Sequence, residues 1–242
     1  MPPLRTSEAA TASTDRDRVD PGWVRKLTGR PLSEVREAMK EAQDDRVLAE
    51  AIASAHASAG RDFYAQVRAP FELYALARLL RPAHIVEVGV SSGVSSAYFL
   101  KALSKNGAGR LHSIDLPTKQ KGPRFSEGED SPVALPPGRA SGWAVPSDLR
   151  GGWDLRLGPS QELLPKLVGE LDEVGIFLHD SLHTFAHATF ELTCVDPKVP
   201  SGGVLLADNT EWLEGALDRF AEAKGTRTYY RRGMDLGGFR KP

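Results

Sequence analysis

The stretch HIVEVGVSSGVSS, residues 84–96, combines a β-branched run with one acid and two glycines. The run around Glu87 predicts a buried strand, and the small hydroxyl residues leading into AYFLKAL predict a helix. Gly89 allows a sharp turn between the two, and Gly93 allows a ligand to approach the main chain. Ser91 stands where a dinucleotide fingerprint needs glycine, and no Gly-Lys-Ser/Thr ends the loop as in a P-loop. The loop therefore argues against a nicotinamide dinucleotide and against ATP.

Strand and helix patterns alternate along the chain around this loop. Further strand patterns are RLHSIDL, WDLRLG, VGIFLHD and GGVLLADN, and they are separated by helical patterns such as FAHATFELTCV. This alternation predicts an α/β fold with a doubly wound, mostly parallel sheet covered on both faces. A strand or a hairpin around Gly237 and Gly238 is predicted to end the chain. Ligands of such sheets bind at the carboxyl ends of the strands, where the strand order reverses.

The composition is that of a globular protein, with 242 residues, 40% hydrophobic, 26% charged and a net charge of −1. The near-neutral charge argues against general nucleic-acid binding. The single cysteine, Cys194, excludes an intrachain disulfide and fits a reducing compartment. No apolar run approaches the ~20 residues of a membrane span, and the N-terminus lacks the apolar core of a secretory signal. We therefore expect a cytoplasmic protein without a membrane partner.

Three regions are predicted along the chain. Residues 1–20 carry almost nothing to bury and predict a disordered tail. Helical patterns predict an N-terminal helical cap over residues 21–62, and the alternating domain spans residues 63–242. Within that domain, residues 117–150 are rich in Pro, Gly and charge and are too long for an ordinary connection, which predicts a lid or binding loop. Trp143 in this loop is a candidate cover for a ligand, with simple surface packing as the alternative.

Two acids indicate the kind of ligand that the glycine loop binds. Asp115 ends the second strand, where a carboxylate can accept both hydroxyls of a ribose. Glu87 can meet a cationic amino group near the first turn. A ribose and an ammonium group without a pyrophosphate are features of S-adenosylmethionine. The alternative is that both acids only cap strands and pair with nearby cations.

With these residues, the chain resembles the class I S-adenosylmethionine-dependent methyltransferases over roughly residues 63–242. The resemblance implies a seven-stranded, Rossmann-like sheet with an antiparallel C-terminal strand. It places Ser160, after the third strand, near the adenine, although Ser160 could instead only cap the following helix. The methyl-donor site implied by the resemblance consists of Glu87, Gly89, Ser91, Gly93, Asp115, Ser160 and Asp180.

A second group of polar residues follows the fourth and fifth strands. Asp180 ends VGIFLHD, and the pair Asp208-Asn209 ends GGVLLADN. In a parallel sheet these ends open on the same edge as the glycine loop. Carboxylates and an amide are hard oxygen ligands that suit Mg²⁺, Ca²⁺ or Mn²⁺. His183 would stand at this site as a general base, because histidine titrates near neutrality. The alternative for the Asp-Asn pair is a plain turn after a buried strand.

This second group resembles the catechol O-methyltransferase-like enzymes and, more closely, bacterial relatives that methylate sugars and other natural-product hydroxyls. The resemblance implies that Asp180, Asp208 and Asn209 hold a divalent cation, with Mg²⁺ first and Mn²⁺ or Ca²⁺ as alternatives. It also implies that His183 is the base. His179 occupies the strand-end position where some relatives carry the ligand, so the choice between His179 and Asp180 stays open at this point.

The predicted function is transfer of a methyl group from S-adenosylmethionine to a hydroxyl of a small-molecule acceptor, assisted by a divalent cation. One alternative is a metal-independent methyltransferase in which Asp180 and His183 act together as the general base. Another is a non-catalytic module that only binds S-adenosylmethionine. Ser91 disfavours an NAD oxidoreductase, and a zinc site of His183 and His187 is disfavoured because Thr184 replaces the Glu of thermolysin-type motifs. Homo-oligomer formation stays open.

Overall fold

The structure is a computed structural model that describes residues 19–59, 69–116 and 135–242. The predicted tail up to residue 18 and residues 117–134 of the predicted lid lie outside these ranges. The α-helices are α1 Pro21–Thr28, α2 Leu32–Gln43, α3 Arg46–Ala59, α4 Pro70–Leu80, α5 Val94–Asn106, α6 Ser160–Glu170, α7 Phe185–Val195 and α8 Ala216–Ala223. The strands are β1 His84–Val88, β2 Arg110–Asp115, β3 Trp153–Leu157, β4 Ile176–His179, β5 Val204–Asp208, β6 Tyr229–Tyr230 and β7 Leu236–Arg240. Short 3-10 helices cover Ser147–Gly152, Asp196–Lys198 and Thr210–Trp212.

The strands form one seven-stranded sheet in the order β3-β2-β1-β4-β5-β7-β6. Strands β1 to β5 pair in parallel, and β7 is antiparallel to both of its neighbours. The predicted fold class, a doubly wound and mostly parallel α/β sheet with an antiparallel C-terminal strand, is confirmed. The chain runs from β1 out to β3 and then returns to β4 on the other side of β1. A ligand crevice is therefore expected at the carboxyl ends of β1 and β4.

Apolar side chains cover both faces of the sheet. In β1, Ile85 packs into one core and Val86 and Val88 pack into the other, because successive side chains of a strand point to opposite faces. Helices α1 to α5 cover the first core, and α6 to α8 cover the second. The predicted helical cap therefore shares its core with the sheet, while its boundaries stay predictions. In the described ranges, every helix is too short or too polar to cross a membrane.

A buried ion pair joins the N-terminal helices to the C-terminal hairpin. The Arg231 Nε–H donates to Oε1 of Glu72 at 2.9 Å, and the two side chains are only 2% and 1% exposed. The same carboxylate oxygen accepts the backbone N–H of Asp20 at 2.9 Å. Three segments that are distant in sequence therefore meet at one buried carboxylate.

Replacing Glu72 by Leu is expected to lower the free energy of unfolding by about 3–5 kcal/mol, because the Arg231 guanidinium would stay buried without this carboxylate. Urea unfolding followed by circular dichroism measures the loss. Asp44→Ala is the control, since it removes an exposed pair with Lys40 and is expected to cost less than about 1 kcal/mol. Equal small losses in the two variants would contradict the prediction.

A strand that is part of a hairpin ends the chain. The chain turns between β6 and β7, through Gly233 at a φ of +70°. Of the two alternatives predicted around Gly237 and Gly238, the strand is confirmed, because both residues pair within β7. Close packing explains these glycines: a Cβ at Gly238 would lie only 2.5 Å from Cδ2 of Leu206.

Candidate functional site

The glycine loop, residues 89–93, connects β1 to α5 at the expected crevice. Gly89, Ser91 and Gly93 have positive φ angles of +94°, +49° and +87°. A Cβ at Gly89 would lie 1.7 Å from the carbonyl oxygen of Asp180, so the loop packs directly against the end of β4. Within the described chain, the buried hydroxyl of Ser91 has no hydrogen-bond partner. The loop therefore carries a buried polar atom that a bound ligand could satisfy.

Gly93 makes room for another part of the protein. A Cβ at this position would lie 2.7 Å from Cγ2 of Val145 and 2.8 Å from Cα of Gly142. Residues 142–145 therefore cover the Cα of Gly93, and a contact between Gly93 and a bound ligand stays a prediction. The sequence places this segment, with Trp143, in the predicted lid, but does not predict its contact with the glycine loop, because the segment has no periodic pattern.

Glu87 lies beneath the loop and is fully buried. Its carboxylate accepts hydrogen bonds from the hydroxyls of Ser95 at 2.5 Å, Ser96 at 2.6 Å and Ser113 at 2.8 Å. Burial raises the pKa of the Glu87 carboxyl to about 7, although the three hydroxyls oppose this rise, and the nearby charge of Asp180 adds to it. Glu87 therefore supports the loop from below and exposes no oxygen to the cationic group that was predicted to meet it.

The titration of Glu87 is expected to make the stability of the fold depend on pH near neutrality. The folded protein keeps this proton up to about pH 7, whereas the unfolded chain releases it near pH 4.5. Its contribution to stability is therefore complete below about pH 4.5 and is lost as the pH rises through about 7. Between about pH 6 and about pH 8 the loss amounts to about 1–2 kcal/mol.

Glu87→Gln keeps the shape of the side chain and removes the titration. As the pH rises from about 6 to about 8, the wild type should lose about 1–2 kcal/mol of stability that the variant keeps. The variant should therefore become more stable relative to the wild type by that amount. Chemical unfolding of both proteins at the two pH values measures this shift, and all other titrating groups cancel in the comparison. A difference that does not change with pH would count against the raised pKa.

Asp115 ends β2 beside the glycine loop, as predicted. One carboxylate oxygen accepts the Val90 N–H at 3.0 Å, and the other accepts the hydroxyl of Ser141. The residue is partly exposed, and each of its oxygens keeps a second lone pair. Two further donors can therefore bind to this carboxylate from the crevice.

Ser160 begins α6, directly after the turn that follows β3. Pro159 takes the cap position of the helix, so the alternative of Ser160 as its N-cap is wrong. The Ser160 hydroxyl lies 3.0 Å from Nε2 of His187, and the residue is 5% exposed. A contact between Ser160 and a bound donor stays a prediction.

The four residues predicted after β4 and β5 come together at the sheet edge. One side-chain atom each from Asp180, His183 and Asp208 lies within 4.8 Å of the others. Nε2 of His183 is 3.5 Å from Oδ1 of Asp180, and Nδ1 is 3.4 Å from Nδ2 of Asn209. Asp180, His183, Asp208 and Asn209 are called the acid–histidine cluster below.

The donor atoms of this cluster fit a divalent cation. The carboxylates of Asp180 and Asp208 are hard ligands of the kind that Mg²⁺, Ca²⁺ and Mn²⁺ take, and imidazole nitrogen is a ligand for softer transition metals. His183 was predicted as a base, and its position also makes it available as a third ligand. Asp208 and His183 are 7% and 8% exposed, so the cluster lies largely out of bulk water.

His179 belongs to a separate buried network on the α7 side of the sheet. Its Nδ1 lies 2.7 Å from the Glu191 carboxylate, which also accepts the Ser181 hydroxyl at 3.0 Å and lies 2.8 Å from Nε2 of His187. Although burial alone would raise it, the hydrogen bonds from His179 and His187 hold the pKa of Glu191 well below its usual range. Asp180 is therefore the strand-end residue at the acid–histidine cluster, and His187 lies outside it.

Trp212 contacts the acid–histidine cluster, whereas Trp143, the predicted cover, contacts helix α3. Trp212 is 47% exposed, and its ring centroid lies 6.1 Å from that of His183 in an edge-to-face contact. Trp143 packs in the same manner on His56 of α3, at 5.2 Å. Trp212 was missed in the sequence, where the available signal was an aromatic residue three positions after Asn209.

Comparison with known proteins identifies the class. A family described as a methyltransferase domain matches residues 86–210, slightly more than half of the chain. This range contains the glycine loop, Asp115 and the acid–histidine cluster. The chain belongs to this methyltransferase family, which confirms the resemblance drawn from the glycine loop, Glu87 and Asp115. No curated protein matches the chain.

Solved methyltransferase structures share the fold. The O-methyltransferase from Bacillus cereus, in complex with SAH, is 14% identical with a TM-score of 0.56, covering 82% of this chain and 92% of that one. TomG from Streptomyces achromogenes, an O-methyltransferase involved in tomaymycin synthesis and solved with SAM, is 18% identical with a TM-score of 0.56, covering 82% and 91%. The SAH-bound methyltransferase PaMTH1 from Podospora anserina is 13% identical with a TM-score of 0.57, covering 100% of both chains. At these identities the likeness is one of fold.

Proposed function

We propose that the chain is an O-methyltransferase that moves the methyl group of S-adenosylmethionine to a hydroxyl of a small-molecule acceptor. One observation carries this proposal: Asp115, the glycine loop and the acid–histidine cluster lie along one edge of the sheet in a chain of the methyltransferase family. A site for a nucleoside donor therefore adjoins a site that can activate a hydroxyl. The O-methyltransferases from B. cereus and S. achromogenes, which bind SAH and SAM on the same fold, support it.

On the donor side, the two remaining lone pairs of Asp115 would accept the ribose hydroxyls. The hydroxyl of Ser91 would gain the partner that it lacks within the described chain. Glu87 would act indirectly, by holding the loop from below. The other donor contacts that we propose are Gly89, Gly93, Ser160 and Asp180.

On the acceptor side, Asp180, Asp208 and Asn209 would hold a divalent cation, with Mg²⁺ first and Mn²⁺ or Ca²⁺ as alternatives. The chemistry that such an ion supplies is a lower pKa of the acceptor hydroxyl. The chain's own contribution is to hold the two carboxylates close together in a site that is mostly shielded from water. Holding the acceptor oxygen, the methyl carbon and the sulfur in line would provide much of the remaining acceleration.

His183 would take the proton as the acceptor oxygen attacks the methyl carbon, the bond between that carbon and the sulfonium sulfur breaks, and neutral SAH leaves. A base needs one bare ring nitrogen. When the neutral imidazole carries its hydrogen on Nδ1, Nε2 is left to receive the proton. Oδ1 of Asp180, 3.5 Å from Nε2, would then stabilise the imidazolium.

The contact between Asp180 and His183 also supports a second candidate, a methyltransferase that needs no metal. In that reaction the Asp180 carboxylate would orient His183 and stabilise its charged form, and the methyl transfer itself would be unchanged. A third candidate, a module that binds the donor without turnover, differs from both in giving no product.

Transfer of an isotope-labelled methyl group tests the proposal directly. The purified full chain is incubated with labelled S-adenosylmethionine and a panel of phenols, glycosides and aliphatic alcohols, and methylated products are detected by mass spectrometry. Calorimetric titration with S-adenosylmethionine runs in parallel. Donor binding without any product would favour the binding module, and absence of donor binding would overturn the proposal.

Asp115→Ala is expected to weaken donor binding by about 1–3 kcal/mol, because it removes charge-assisted hydrogen bonds to the ribose. Calorimetry with SAH measures the change in affinity. Asp148→Ala, which removes an exposed acid from the 3-10 helix before β3, is the matched control and should bind as the wild type does. Unchanged affinity in Asp115→Ala would remove this residue from the donor site.

A further inference from the structure

A short segment within the predicted lid, residues 141–145, crosses the glycine loop; it is called the strap below. The Gly142 N–H donates to the carbonyl of Ser91 at 2.8 Å, and the Ala144 N–H donates to the carbonyl of Ser92 at 2.9 Å. These main-chain bonds hold the strap on the loop in the way that an added strand is held on a sheet edge. The strap is thus attached to the part of the chain that we propose contacts the donor.

Two glycines permit this close packing. A Cβ at Gly93 would lie 2.8 Å from Cα of Gly142, and a Cβ at Gly142 would lie 2.1 Å from Cη2 of Trp153. The strap therefore lies between the loop and β3 with no space for a side chain at either position. Its path is set by the packing on both sides.

Arg150 fixes the strap from the side of β3. Its guanidinium donates to the carbonyls of Gly142 at 2.6 Å and Val145 at 3.2 Å, and it lies over the ring of Trp153 at 5.4 Å. The Trp153 Nε1–H in turn donates to the Ser113 hydroxyl at 2.8 Å. Hydrogen bonds therefore hold the strap to the 3-10 helix before β3 as well as to the glycine loop.

Ser141, the first residue of the strap, reaches the carboxylate at the end of β2. It is 3% exposed, and its hydroxyl donates to Oδ2 of Asp115. The Val90 N–H holds Oδ1 at 3.0 Å. With one bond on each oxygen, the plane of the carboxylate is fixed while one lone pair of each oxygen remains. A group that is ordered in advance binds without the entropy loss of ordering.

We propose that Ser141 is a positioning residue of the methyl-donor site, through which the strap orients Asp115 toward the ribose of S-adenosylmethionine. This inference rests on the proposed function, because it requires that donor. It assigns the strap to the donor site as a fixed wall, whereas the sequence predicts a lid over the whole of residues 117–150.

A double-mutant cycle on the full chain tests this role, with SAH as the calorimetric probe. Ser141→Ala is expected to weaken SAH binding about tenfold, the usual share of one hydrogen bond to a charged group. In the background of Asp115→Ala the same substitution should cause no further loss, because both act through one carboxylate. Ser147→Ala, which removes an exposed hydroxyl from the same region, is the matched control and should leave the affinity unchanged.

Ser141→Cys keeps the side-chain size, but the cysteine thiol is a weak hydrogen-bond donor, so the same loss of SAH affinity is expected. This second variant keeps the test valid even where Ser141→Ala does not fold. The inference would be overturned if the Ser141 variants bind SAH as tightly as the wild type, or more tightly, while Asp115→Ala binds it more weakly. The proposed function would then still stand. An equal loss with and without Asp115 would also overturn it, since that is the result of a purely structural role. Failure of the wild type to bind SAH would overturn both.

Discussion

Treatment of the protein with a chelator is expected to abolish methyl transfer, and added Mg²⁺ or Mn²⁺ is expected to restore it. A hydroxyl is a poor nucleophile at neutral pH, and the proposed cation site supplies the charge that lowers its pKa. Donor binding should survive, because the glycine loop follows β1 and Asp115 ends β2, whereas the cation site follows β4 and β5. Asp180, which is proposed for both sites, stays in place when the ion is removed. Methyl transfer with and without EDTA, together with SAH calorimetry, measures both effects.

Asp208→Ala separates loss of the ion from other effects of the chelator. This substitution is expected to lower the affinity for Mn²⁺ and to reduce methyl transfer as chelation does. Electron paramagnetic resonance measures the binding of Mn²⁺. Asp172→Ala, at an exposed acid after α6, is the control and should change neither. Full activity in EDTA would contradict the proposed role of the cation. It would favour a metal-independent reaction in which Asp180 and His183 act together as the general base.

Much of the fold could be predicted because each strand–helix unit carries its own periodic signal. FAHATFELTCV predicted a helix that the structure places at the same residues, Phe185–Val195. The hairpin could not be predicted in detail, because a Gly-Gly pair is an ordinary sign of a turn. Only the packing of Gly237 against Leu217 and of Gly238 against Leu206 shows that the pair belongs to a strand.

The candidate site, like the fold, could be predicted only in part from the sequence. Asp115, Asp180 and Asp208 could be predicted to meet, because the carboxyl ends of parallel strands share one edge of the sheet. The strap and the Glu191 network could not, because their contacts join distant residues and depend on side-chain packing that no local pattern encodes. The burial of Glu87 follows from its place in a β-branched run, but its three serine partners could not be predicted, since they resemble ordinary helix-start and strand residues.

His183→Ala is expected to lower the rate of methyl transfer by about 10²–10⁴-fold, the usual contribution of a general base. Affinities for SAH and Mn²⁺ should stay close to those of the wild type if His183 only moves the proton. The remaining activity should rise with pH, because hydroxide in solution can then take the place of the missing base. Rates measured across pH, with both affinities, test this expectation. His84→Ala, at the opposite end of β1, is the matched control.

The Mn²⁺ affinity of His183→Ala decides between the two roles that the geometry permits. Nε2 of His183 is as close to Asp180 as a shared ion requires, since the ligand atoms of the group lie within 4.8 Å of one another. A nitrogen that coordinates an ion has no lone pair left for a proton, so the same atom cannot be ligand and base in one step. If His183→Ala loses affinity for Mn²⁺ as well as the rate of methyl transfer, His183 is a ligand of the ion. Full activity in His183→Ala would contradict both roles and leave the histidine as a packing residue beside Trp212.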